Sequence, residues 1–129
     1  MNNEYRRLLD TFAGGWEKGE VEEMVSIFAD DAVLKETPFA KEDRGIAALR
    51  AYWRTLPQSQ AEASFKTGEI FEAGASWFAA EFRLTFRRRR TGEWVDAKGA
   101  LFCETKEGKI TEMRMYWHRQ AGGREEPAD

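Results

Sequence analysis

Few residues of this 129-residue chain could do acid–base or nucleophilic chemistry unaided. There is one histidine, His118, and one cysteine, Cys103. An imidazole titrates near neutral pH, so His118 is a candidate general acid or base. It follows Trp117 directly, and on a strand alternation would put the two side chains on opposite faces. A surface or dimer-interface histidine is the competing reading. Cys103 sits between Phe102 and Glu104 with no base on its own strand face, and reads as inert packing. Asp30-Asp31 reads as a turn rather than a metal pair, because adjacent acids point in different directions. Glu36 lies between Leu34 and Phe39 at the start of the loop Lys35–Asp43. Apolar neighbours would disfavour its charged form and raise its pKa into the range of a useful base. Its competing reading is an exposed loop carboxylate.

One Cys excludes an internal disulfide framework, and a single His leaves histidine-based metal sites short of ligands. No metal and no cofactor are expected. Net charge is –3, from 20 Lys+Arg against 23 Asp+Glu. It is unevenly spread: residues 1–45 carry 6 basic and 11 acidic groups, whereas residues 46–119 carry 13 and 9. A weakly acidic total argues against nucleic acid as a partner, since that affinity comes mostly from neutralising phosphates. The run Arg87-Arg88-Arg89-Arg90 then reads as the solvated tip of a hairpin. The start of the chain lacks an apolar signal core, and no stretch is long and apolar enough to span a bilayer, so a cytoplasmic protein without membrane contact is expected.

The elements that must position these residues follow from two periodicities. Tyr5, Leu8, Leu9, Phe12 and Trp16 lie on one face of a helix that Lys18-Gly19-Glu20 breaks. Val21, Met24, Val25 and Phe28 give a shorter second helix, and Ala32–Leu34 a brief strand. A third helix follows Gly45, with Ile46, Leu49, Tyr52, Trp53 and Leu56 on its apolar side, and is expected to end at Pro57. Thereafter the period becomes two. Residues 62–72 supply one strand; Phe78, Ala80, Phe82, Leu84 and Phe86 share a face of the next. Val95, Ala97, Gly99, Leu101 and Cys103 share a face of another, and Thr111, Met113, Met115 and Trp117 of the last. Asp96 and Lys98, two apart, read as a surface ion pair. Helices first and long strands afterwards imply an α+β fold with an antiparallel sheet covered on one face by helices. The domain spans 1–120, and 121–129 reads as a flexible tail.

Phe28-Ala29-Asp30-Asp31-Ala32, then Gly45-Ile46 and Tyr52-Trp53, then Gly108-Lys109-Ile110 and Met113-Arg114-Met115-Tyr116-Trp117 form an ordered series. With it, the chain resembles the ketosteroid isomerase/SnoaL-like branch of the NTF2-like superfamily over residues 4–119. The resemblance implies a cone-shaped fold, a curved sheet wrapped around the N-terminal helices, an enclosed apolar pocket and a homodimer. It places the isomerases' carboxylate base on Glu36. It places their oxyanion-hole tyrosine on Phe12, the supporting tyrosine on Trp53, and the oxyanion-hole aspartate on Ala100 or Leu101, so steroid isomerisation by the usual route is not expected. His118 stands where many SnoaL-like proteins carry an acid. The Arg–Asp site of the related epoxide hydrolases is matched only by Glu81 and Arg83, which alternation turns outward.

Phe12, Trp16, Trp53, Phe82, Phe86, Leu101, Met113, Met115 and Trp117 are therefore expected to converge inside the cone. Aromatics with Met suit an adaptable site for a small apolar molecule. Three functions are open at this point. One is a metal-free proton-transfer enzyme of isomerase, cyclase or lyase type, with Glu36 as base. The others are a non-catalytic binder using the same pocket, and an interaction domain using the outer sheet face.

Overall fold

The computed structural model describes residues 3–36, 39 and 41–121. The expected tail therefore lies almost wholly outside the described residues. Helix α1, Asn3–Lys18, buries the predicted stripe: Leu8, Leu9 and Phe12 are fully enclosed and Tyr5 and Trp16 nearly so. Gly19, at φ +71°, takes the left-handed conformation that closes the helix at little steric cost. The short α2, Val21–Val25, buries Met24 and Val25.

Strand β1 runs over Phe28–Lys35, longer than the expected Ala32–Leu34. Asp30 and Asp31 are not a turn but two exposed residues inside this strand, where its register against the last strand shifts between Phe28 and Val33. Pairing on both sides of that irregularity carries the backbone through extended. β2 is the two-residue Asp43–Arg44, paired with β1. Helix α3 covers Ile46–Trp53, and a separate turn of helix, α4, covers Leu56–Ser59. Pro57 thus does not end α3. It sits in the first turn of α4, where a helix makes no use of the missing N–H.

The four long strands β3 (Gln60–Ala73), β4 (Trp77–Arg88), β5 (Trp94–Lys106) and β6 (Lys109–Ala121) follow the two-residue alternation. The six strands form one curved sheet in the order β2-β1-β6-β5-β4-β3. Neighbours are antiparallel except β1 and β6, which run parallel. The inward faces are those expected: Phe78 to Phe86 on β4, Val95 to Cys103 on β5, and Met113 and Met115 on β6. They close with α1 and α3 into one apolar core.

The outer face is charged and paired. Arg83 grips Asp96 through two bonds of 3.0 and 2.8 Å, so the partner of Asp96 is Arg83 on β4 rather than Lys98 on its own strand. Lys98 instead faces Arg83 across the ladder. The arginine run turns back on the protein: Arg87 donates to Glu62 at 2.8 Å, Arg88 lies 3.3 Å from Glu93, and Arg89 donates to the Pro57 carbonyl at 2.9 Å.

Candidate functional site

Where the end of α1, the α3–α4 corner and the far ends of β4 and β6 meet, the helices do not fill the curved sheet. They leave a cavity of about 630 Å³. Trp16, Trp53, Phe86 and Trp117 border it, together with Glu36, Tyr52, Thr55, Leu56, Gln60, Leu84, His118 and Arg119. Of the nine expected pocket residues the fold brings these four to the wall. Phe12, Leu101, Met113 and Met115 are instead buried in the core, as is Phe82, which also borders a second hollow beside Lys66, Arg83 and Tyr116. Phe12 touches Trp16, Phe28, Trp53 and Phe65 with ring centroids 5.4–6.2 Å apart and is fully enclosed.

Glu36 stands just past the end of β1 and is half-buried at the cavity wall. Phe39 has no part in enclosing it, being 98% exposed. The enclosure comes from elements distant in sequence. The Trp117 indole N–H donates to the Glu36 carbonyl at 2.8 Å, which ties the end of β1 to β6. Tyr52, on the same wall, favours the charged form of the Glu36 carboxyl. Burial pushes the Glu36 carboxyl above its ordinary value of 4.5. The Tyr52 hydrogen bond and the positive charge of Arg119 pull it down, and the negative charge of Asp43 adds to the rise, leaving a net upward shift. Burial, then the hydrogen bond to Glu36, raises Tyr52 in turn, so Tyr52 stays protonated and remains a donor.

His118 is exposed, as alternation predicts, and reaches the cavity only at its rim; its partner across the ladder is Lys98. Cys103 is fully enclosed in the core, where burial pushes its thiol pKa up and suppresses the reactive thiolate. Among the described residues no three His, Cys, Asp or Glu side chains are grouped to hold a metal ion. No described helix is long and apolar enough to cross a membrane.

Sequence reasoning left Tyr52, Gln60 and Arg119 out of the site. Gln60 accepts from the Trp16 indole N–H at 3.0 Å, across a gap of 44 residues that no periodicity bridges. Arg119 was within reach: it shares the alternation face of Trp117, and its guanidinium lies 5.7 Å from the centre of that ring.

The family model for the SnoaL-like domain matches residues 6–113. The chain belongs to the SnoaL-like family. Solved structures carry the same fold. A Bacillus subtilis protein superposes with a TM-score of 0.82 at 24% identity, covering 92% of this chain and 90% of its own. The Δ5-3-ketosteroid isomerase of a Mycobacterium species gives 0.76 at 20% identity, covering 89% and 95%. A Mycobacterium tuberculosis protein in complex with estradiol-17β-hemisuccinate gives 0.75 at 18% identity, covering 88% and 95%. Comparison with curated protein sequences returns no match. Identities this low establish shared architecture only; Phe12 and Leu101 are fully buried apolar side chains, and Ala100 is half-buried. Glu81 and Arg83, the residues nearest to an epoxide-hydrolase pattern, are exposed on the outer face.

Proposed function

We propose that this SnoaL-like protein takes a small apolar molecule into the cavity and moves a proton on it, with Glu36 as the base. The observation that carries this is a half-buried carboxylate with a raised pKa on the wall of an otherwise largely aromatic cavity. In an isomerase-type step the carboxylate takes a proton from a carbon that lies between a carbonyl and a C=C bond. The C–H electrons form a new C=C bond to the carbonyl carbon and the carbonyl pair moves to oxygen, giving a dienolate. As the carbonyl re-forms, the original C=C bond shifts and its far carbon takes the proton back from Glu36, and nothing is oxidised or reduced. The Trp117 bond holds the backbone beneath the carboxylate, and Tyr52 shares its wall. Solved neighbours whose ligand or activity involves steroids support an apolar ligand of that size class. A cytoplasmic protein of one domain over 1–120, paired as a homodimer through the outer face where Phe102 and Tyr116 remain exposed, goes with this reading.

Carboxyl carbon NMR titration of Glu36, assigned with Glu36→Gln, is the test. A pKa well above the ordinary value of 4.5 supports the base. Once a substrate is in hand, Glu36→Gln should abolish turnover without loss of folding or binding. An ordinary pKa would leave the cavity as a non-catalytic binding site. That second reading is favoured by a computationally designed 17-OHP binder of the same fold (TM-score 0.77 at 17% identity), a use that requires only the pocket.

A further inference from the structure

The inward face of β6 carries Thr111, Met113, Met115 and Trp117, and the next residue in that alternation is Arg119. Its ladder partner on β5 is Ala97, which is fully buried. A cation in line with an apolar face runs against the usual partition of side chains. Arg119 escapes burial because the sheet opens there. Strand β1 pairs with β6 only as far as Lys35 opposite Arg114, and Arg119 lies beyond that point, on the cavity rim and exposed. It is the one Lys or Arg among the described residues that border the cavity. Arg50, Arg83, Arg87 and Arg114 each grip a carboxylate at 2.6–2.8 Å. Arg119 forms no ion pair among the described residues. Its guanidinium lies 5.7 Å from the centre of the Trp117 ring, and its charge reaches Glu36 and Tyr52 through space. The ring beneath it is itself fixed, by the indole bond to the Glu36 carbonyl at 2.8 Å.

We propose that Arg119 recognises an anionic group at the cavity mouth, so that the cavity takes an amphipathic ligand with its apolar body inside and a carboxylate at the opening. This rests on the reading of the cavity as a ligand site, but not on Glu36 acting as a base. A guanidinium is planar, permanently charged and carries five donors that meet both oxygens of a carboxylate at once. The Trp117 ring is a weak acceptor and leaves that capacity unused. Local charge selects a monoanion. The acids Glu36 and Asp43 stand close by, so a dianion such as a phosphate would meet both with a single cation to offset it. At the rim the ligand's carboxylate keeps part of its hydration, which holds its desolvation cost down. The apolar body supplies most of the affinity and Arg119 supplies the selection.

The test uses the full-length protein and two probes of similar shape, naphthoic acid and its uncharged amide, titrated by calorimetry near neutral pH, where the acid is ionised. Both should bind, the acid about tenfold more tightly. Arg119→Gln should remove that preference by weakening the acid alone, and added salt should shrink it, because the mouth is exposed. Equal affinities in the wild type, or a preference that survives Arg119→Gln, would overturn the role of Arg119 while leaving the cavity as a ligand site. Binding of neither probe would overturn both. A second measurement needs no variant at Arg119. Pairing of the ligand's carboxylate with Arg119 offsets the cation that favours the charged form of Glu36, so saturating acid should raise the Glu36 pKa more than saturating amide does, read by carboxyl carbon NMR. Asp43, Tyr52 and His118 face both probes alike and cancel from that comparison. Identical shifts with the two probes would overturn the contact.

Discussion

At the scale of single residues, Glu36 ties function to stability. Burial raises its pKa in the folded state above the ordinary 4.5, so the fold favours the protonated form. The stability that this proton contributes is fully present below the unfolded-state pKa and is lost as pH rises through the higher folded-state value. Above that window the wild type carries a partly buried charge that Glu36→Gln does not. Urea midpoints should therefore show the variant gaining on the wild type as pH rises from the ordinary carboxyl value through the higher folded-state value. A constant difference across that range would mean that the carboxyl is effectively solvated. The same residue shows why a charged loop is ambiguous by sequence: its enclosure depends on Tyr52 and Trp117, not on its chain neighbours.

Two close contacts at the scale of elements hold the cavity's frame. Gly99 on β5 lies opposite Trp117 on β6. A Cβ there would come within 2.5 Å of the Trp117 Cβ and 2.6 Å of its Cα, and would also strike the Tyr116 carbonyl. Since the obstacle is backbone, Gly99→Ala should cost about 1–3 kcal/mol, read as a lower Tm, and should displace Trp117 from the cavity wall. The second contact anchors α1 to the edge strand β3, where an outward N–H has no neighbouring strand to meet it. The Glu17 carboxylate accepts the Phe65 N–H at 2.7 Å, close to the register shift between Ala61 and Ser64. Glu17→Ala should cost about 1–3 kcal/mol by stranding that donor, whereas Glu17→Gln, which keeps an acceptor oxygen, should lose less. Similar losses for the two variants would show that charge rather than pairing matters there.

For the whole molecule, the consequence of an open volume beside a packed core is that ligand binding stabilises the folded state. A small apolar ligand at about 100 times its Kd should add roughly 2.7 kcal/mol, seen as a Tm that rises by several degrees and depends on ligand concentration. Glu36→Gln should retain that rise, because the base acts on the ligand rather than enclosing it. A Tm unchanged by any apolar probe would count against the cavity as a binding site. The arginine run adds nothing here, since three of its four side chains are held within the chain by Glu62, Glu93 and the Pro57 carbonyl.

Periodicity in the sequence alone determined which faces are buried: the Tyr5–Trp16 stripe and the alternating sets on β4, β5 and β6 all close into the core as read. These are local rules, in which each residue's direction follows from the geometry of its own helix or strand. The ordered motifs determined the family. What the tertiary structure decided was which apolar residues remain at an open surface. Phe12 and Trp53 are both fully buried aromatics, yet one is sealed by four rings and the other backs the cavity wall. Glu36 with Tyr52, and Trp16 with Gln60, are likewise pairs made by sheet curvature and helix docking. Packing sums contacts across the whole chain, so no window of sequence contains the information that distinguishes a wall from a core.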